Sequence, residues 1–222
     1  MRKRLRRSRR VSAFINVYEP IRVKTEMTTE HSINAIVIGA SAGGVEAVGQ
    51  LLAALPADFR PAVLVVLHLP PEGPNALAAV FSRKCILPVK EAEDKENILP
   101  GTVYVAPADY HLMVEPDLSL SLSRDEARHY SRPSIDMLFE SAALAYREKV
   151  LAILLTGANT DGSEGMKQVQ ECGGCCWVQD PAEALASAMP DAAIRLIVPE
   201  RILTLQDMAA SLNQINRASL AA

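Results

Sequence analysis

Three residues in this chain carry side chains that together could cleave an ester. Ser41 lies in the run AIVIGASAGGVEAV over residues 35–48, His68 in VLVVLHLPP and Asp161 in LLTGANTDGSEG. A serine hydroxyl is a weak nucleophile until a base takes its proton. A neutral imidazole can do so near pH 7, and a carboxylate fixes the imidazole's tautomer and steadies the imidazolium. Each of the three follows a short apolar run, at residues 35–38, 62–67 and 150–155. In a doubly wound sheet, sites lie at the carboxyl ends of the strands, so the three side chains converge if their strands are neighbours. In such a triad His68 would turn Nε2 toward Ser41 Oγ. The glycine turn around Ser41 opens a helix whose first N–H groups suit an anion. Backbone N–H groups at Ala42 and in the loop 157–159, Ala158 among them, are candidate oxyanion donors, each typically contributing about 3–4 kcal/mol. Taken singly, Ser41 reads as a helix cap, His68 as a satisfied core histidine and Asp161 as a turn residue before glycine. Their joint placement after three separate strands is what points to chemistry.

The elements that must position them read as alternating strands and helices. The runs 35–38, 62–67, 150–155 and 175–179 are nearly continuous in apolar residues, as strands buried on both faces of a parallel sheet are. Between them the period changes to 3.6. Val45, Val48, Leu52 and Leu55 share one helical face, and Ile135, Leu138, Phe139, Ala142, Ala143 and Tyr146 another. Thr204, with Asp207 three residues on, caps a last helix whose apolar side is Leu205, Met208, Leu212 and Ile215. The interval 88–122 holds shorter pieces, 102–106 and 111–114, expected as an antiparallel excursion on the sheet edge. The fold expected is α/β: a doubly wound, mostly parallel, Rossmann-like three-layer sheet with a small antiparallel β excursion.

Composition narrows the function classes. The 222 residues are 49% hydrophobic with a net charge of −3, enough apolar material for one α/β domain. No apolar run approaches the ~20 residues of a membrane span. Residues 1–26 hold nine Lys and Arg against Glu19 and Glu26, so a basic segment precedes an acidic domain. The division expected is a basic, disordered arm over 1–32 and a catalytic domain over 33–222, with translation beginning at Met27 as the plainest account of the arm. An acidic domain argues against nucleic acid.

Other Gly-rich and Cys-rich readings fit poorly. Gly39, Ser41 and Gly44 miss the middle glycine of a dinucleotide fingerprint, and the second strand ends in His68 where a ribose-binding acid is needed. No Gly-Lys-Ser/Thr follows the turn, which excludes a Walker loop. Cys172 and Cys175 have the spacing of half a zinc site, but no second Cys/His pair follows, so Cys85, Cys172, Cys175 and Cys176 are expected as reduced thiols. Neither a metal nor a cofactor is expected. His111 and His129 have no partners in the sequence that single them out.

Five segments in order, IGASAGGVEAV, VVLHLPP, SRPSIDMLFESAA, LLTGANTDGSEGM and QDPAEALASAMPDAAI, resemble the catalytic domain of CheB-type chemotaxis protein-glutamate methylesterases from about residue 33 to about 200. The resemblance implies a cytoplasmic serine hydrolase that cleaves glutamate γ-methyl esters on chemoreceptors, releases methanol, and in many members deamidates receptor glutamines. It carries over Ser41 as nucleophile, His68 as general base and acid, and Asp161 as the residue orienting His68. It implies a methylated chemoreceptor, or a receptor-like protein, as partner. Typical members add an N-terminal receiver domain, for which some thirty residues do not suffice, so the expectation is an esterase either unrestrained by a covalent receiver or controlled by a separate receiver protein. Ala158 replaces the methionine usual in the oxyanion region, Ala42 a common threonine, and Thr160 a small or amide residue. Arg132 reads either as a surface residue starting a helix or as a substrate contact at the site edge. A non-catalytic adaptor with the same fold and a general small-ester hydrolase are the competing functions.

Overall fold

The computed structural model describes residues 32–68 and 76–221, with side chains to residue 215. The basic segment and the prolines after His68 lie outside the described residues.

The apolar runs pair as parallel strands because their side chains are needed on both faces. The chain forms β1 (Ala35–Ala40), α1 (Gly44–Ala53), β2 (Ala62–Leu67), α2 (Leu77–Ser82), β3 (Val89–Glu91) and β4 (Val103–Val105). A hairpin of β5 (His111–Val114) and β6 (Leu120–Ser123) follows, then α3 (Ile135–Tyr146), β7 (Val150–Leu154) and α4 (Ser163–Glu171). The chain closes with β8 (Cys175–Gln179), α5 (Ala188–Leu196), β9 (Arg201–Leu203) and α6 (Leu205–Ala221). The seven-stranded sheet runs β3-β4-β2-β1-β7-β8-β9, and all its pairings are parallel.

Two cores lie on the two faces, divided by the period of two along each strand. Ile36, Ile38, Val63 and Val65 pack with Leu51, Leu52, Phe81, Met208 and Leu212 under α1, α2 and α6. Val37, Leu64, Val66 and Ala152 pack with Leu138, Phe139, Met166 and Met189 under α3, α4 and α5. Thr204 caps α6 as expected: Asp207 N–H donates to Thr204 Oγ1 at 3.1 Å.

Two local expectations change. Residues 103–105 pair in parallel with β2 and β3 and so belong to the main sheet, while only β5 and β6 make the antiparallel piece. Short alternating runs cannot report which strand they will pair with. Val45 is exposed, and the buried face of α1 turns on Leu51 in its place.

The sheet and α3 meet most tightly at Gly39. A Cβ there would overlap the Ile135 side chain and touch Leu154 Cδ1 at 3.1 Å, so glycine lets the start of α3 settle on β1. Gly39→Ala is expected to lower unfolding stability by about 1–3 kcal/mol, read as a reduced urea midpoint at unchanged slope.

Candidate active site

The sheet order makes β2, β1 and β7 consecutive, so Ser41, His68 and the loop carrying Asp161 leave three adjacent strands at one edge. Backbone bonds carry the ladder past the strand ends. His68 N–H donates to Ala40 C=O at 3.1 Å, and Ser41 N–H to Thr156 C=O at 2.9 Å. The order also reverses between β1 and β7, where chain connections diverge and leave a crevice. After Ser41 the backbone turns through Gly43, at φ 80°, into α1. A side chain at Gly43 would be strained at that φ and would press on Leu185.

Thr156 ties this turn to the next loop. Its hydroxyl donates to Ala42 C=O at 2.8 Å and accepts from Ala186 N–H at 2.9 Å. The Ala42–Gly43 peptide is thereby held in one orientation, as a fixed dipole at a reaction centre must be. Ala158 lies exposed on the opposite loop, beside the half-buried Asn159.

His68 and Asp161 meet directly: His68 Nε2 stands 2.9 Å from Asp161 Oδ2, with Asp161 fully buried. Donation from Nε2 leaves Nδ1 as the basic nitrogen, the reverse of the orientation expected from sequence. Ser131 Oγ and Asn159 Nδ2 face Nδ1, each at 3.4 Å. No hydrogen bond joins Ser41 Oγ to His68 among the described residues. Such bonds often tighten only when substrate binds.

A buried carboxylate stays charged only if donors surround it. Asp161 Oδ1 accepts from Ser134 Oγ at 3.0 Å and Asp136 N–H at 3.0 Å, and Oδ2 from Ile135 N–H at 2.7 Å as well as from His68. It thus caps the N-terminus of α3 from a distant loop. Burial raises its proton affinity, but the His68 bond and the two backbone N–H groups outweigh that and hold its pKa below the ordinary value.

Asp136, in the first turn of α3, returns the favour to α4. Its Oδ1 accepts from Gly162 N–H at 2.9 Å and Gly165 N–H at 2.7 Å. Gly162, at φ 95°, supplies the left-handed turn that aims these groups. His111, wholly buried, accepts from Ser134 N–H through Nδ1 at 3.1 Å and reaches Glu126 C=O through Nε2 at 3.2 Å.

Comparison with known proteins agrees with this architecture. The CheB methylesterase family model matches residues 36–212. The chain belongs to the CheB methylesterase family. A relative from Leptospira interrogans is 42% identical over 175 residues, covering 79% of this chain and 91% of that protein. A Maricaulis maris protein-glutamate methylesterase/protein-glutamine glutaminase is 36% identical over 176 residues, and the matched region spans 78% of this chain but 44% of that protein. The crystal structure of the Thermotoga maritima CheB methylesterase catalytic domain superimposes with a TM-score of 0.78 at 31% identity, over 83% of this chain and 99% of that domain.

Arg132, half-buried before α3, has its guanidinium engaged. Nε and Nη2 reach Asp109 Oδ1 at 2.9 and 2.5 Å, and Nη1 reaches the carbonyls of Arg124 and Asp125 at 3.1 and 2.9 Å. The supporting residues Ser131, Ser134, Asp136, Asn159 and His111 were not singled out by sequence reasoning. The one available signal was Ser134 before an apolar-periodic run with Asp136 behind it, a helix start whose distant partner no spacing reveals.

Because the Asp161 carboxylate is held below its unfolded pKa, its contribution is present above about pH 4 and is lost as pH falls through the folded value. Asp161→Asn should therefore cost on the order of 2–3 kcal/mol near pH 7, a gap from the parent chain that narrows on acidification in pH-resolved denaturation. Thr156→Val, which removes both hydroxyl bonds at the Ser41 turn, should lower kcat by about tenfold or more with KM little changed, read in steady-state ester hydrolysis.

Proposed function

We propose that this chain hydrolyses glutamate γ-methyl esters on chemoreceptors or receptor-like proteins in the cytoplasm, with Ser41, His68 and Asp161 as its catalytic triad. The observation that carries the reading is the 2.9 Å bond between His68 and a buried Asp161 at the edge from which Ser41 also emerges. His68 Nδ1 takes the Ser41 proton as Oγ attacks the ester carbonyl carbon. Asp161 steadies the imidazolium that forms. N–H groups at Ala42 and Ala158 receive the charge on the carbonyl oxygen. The imidazolium then protonates the departing methoxide as methanol, leaving a glutamyl ester on Ser41. Water, activated by His68, attacks that ester, and the products are a free glutamate side chain and the regenerated serine. A glutamine amide follows the same course with ammonia as the leaving group.

Arg132, which the sequence left between a surface residue and a substrate contact, serves through the rim. Its bonds to Asp109 and to two carbonyls stitch the segment 124–132 to the loop at 109 and so shape the mouth that meets the receptor helix.

Release of methanol from radiolabelled, methylated chemoreceptor by the full chain tests the reading. Ser41→Ala should reduce release by about a thousandfold or more, with an unchanged circular dichroism spectrum. No release from the folded parent chain, alone or with a phosphorylated receiver, would favour a non-catalytic adaptor.

A further inference from the structure

Behind Asp161 lies a second wholly buried carboxylate that the proposed reaction does not use. Asp136 commits Oδ1 to the Gly162 and Gly165 amides at the start of α4, while its buried Oδ2 accepts no hydrogen bond of good geometry among the described residues. Facing Oδ2 are His129 Nε2 at 3.1 Å and Arg128 Nε at 3.8 Å. Arg128 is shared, since its Nη1 bonds Glu140 Oε2 at 2.7 Å. Asp161 completes the surroundings from the loop after β7, and Glu140 is the other acid of α3 nearby. His129 is held there by a turn in which it and Tyr130 both take positive φ, 50° and 61°, unfavourable backbone for residues with side chains. Ser131, on the same turn, reaches His68.

One atom each from His129, Asp136 and Asp161 lie within 4.8 Å of one another, a spacing compatible with a cation. The donors argue otherwise. Both Asp161 oxygens already accept two hydrogen bonds each, and the Arg128 guanidinium repels a cation at Asp136 Oδ2. What fits the position is a proton.

We propose that Asp136 and His129 form a proton-holding pair that positions Asp161, and through it His68, for catalysis. With one proton between them the pair is neutral overall, and Asp136 braces α4 without setting net charge behind Asp161. When that proton leaves, two carboxylates face each other in the interior, and the guanidinium facing Asp136 is Arg128, which is shared with Glu140. Their repulsion loosens the Asp161 loop and turns His68 from its working orientation. Burial, only partly offset by the Gly165 N–H and reinforced by the Asp161 charge, pushes the Asp136 carboxyl up to about 6, so its proton is held to a higher pH than an ordinary carboxyl's.

Catalytically, Asp136 and His129 touch neither substrate nor serine, so both are positioning residues, and the proposal rests on the triad reading above. The test measures kcat, KM and thermal melting against pH for the full chain, Asp136→Asn and His129→Gln, with methylated chemoreceptor as substrate. Asn keeps an oxygen for the two α4 amides and cannot ionise. A raised folded pKa means stability that is present at low pH and is lost as pH rises through it. The parent chain should therefore lose kcat and melting temperature together as pH rises past the pair's last proton, with KM within about twofold. His129→Gln should begin both losses lower by about one pH unit, and Asp136→Asn should show neither. The same pH dependence of kcat and melting in all three chains would overturn the proposal. The expected melting pattern without methanol release from any chain would leave the pair standing and sink the activity reading instead.

Discussion

The structure depends on keeping one buried carboxylate charged. Asp161 is wholly removed from water, and an isolated charge there would cost far more than a domain's net stability. Its answer is to spend every lone pair: two backbone N–H groups and a hydroxyl from the start of α3, and the His68 ring. These bonds do two jobs at once. They satisfy the N-terminal amides that a helix leaves orphaned, and they fix the imidazole against the carboxylate. Loss of the charge would therefore weaken the α3 junction and the site together.

Asp136 makes the arrangement reciprocal. α3 is capped by a residue of the loop before α4, and α4 by a residue from the first turn of α3. The small residues on these paths are consequences of that closeness. A Cβ at Gly165 would come within 3.1 Å of the Asp136 backbone, and one at Gly162 would strike Leu154 and Ile135. Two helices brace each other through their carboxylates, and the loop carrying Asp161 is held between them. Fixing that loop fixes the carboxylate that His68 bonds.

The remaining contributions come from the rim. Thr156 links the Ser41 turn to the loop at Ala186, and Arg132 links the segment after β6 to Asp109. Both fix backbone that would otherwise be free to move, which is how a site on loops gains the precision of one on strands. Kinship with the CheB methylesterases fits this division: an α/β frame supplies adjacency, and bonds between loops supply alignment.

The sequence alone determined the four central strands, their burial on both faces and the three polar residues at strand ends, because apolar runs and period changes are local signals; the short strands β3, β6 and β9 carry too few residues for such a signal. Residues 62–67 and 175–179 read from the sequence coincide with β2 and β8. It also carried the family resemblance through five ordered segments. It could not decide that β2, β1 and β7 are neighbours, nor that residues 103–105 join the main sheet, since pairing is a contact between distant segments with no local signature. Only the tertiary structure decided which imidazole nitrogen meets Asp161, and that His129 has a partner at all. Asp161 and Asp136 are 25 positions apart, and their partnership exists because Gly39 and Gly165 let α3 approach the sheet and α4 closely enough for two helix ends to exchange caps.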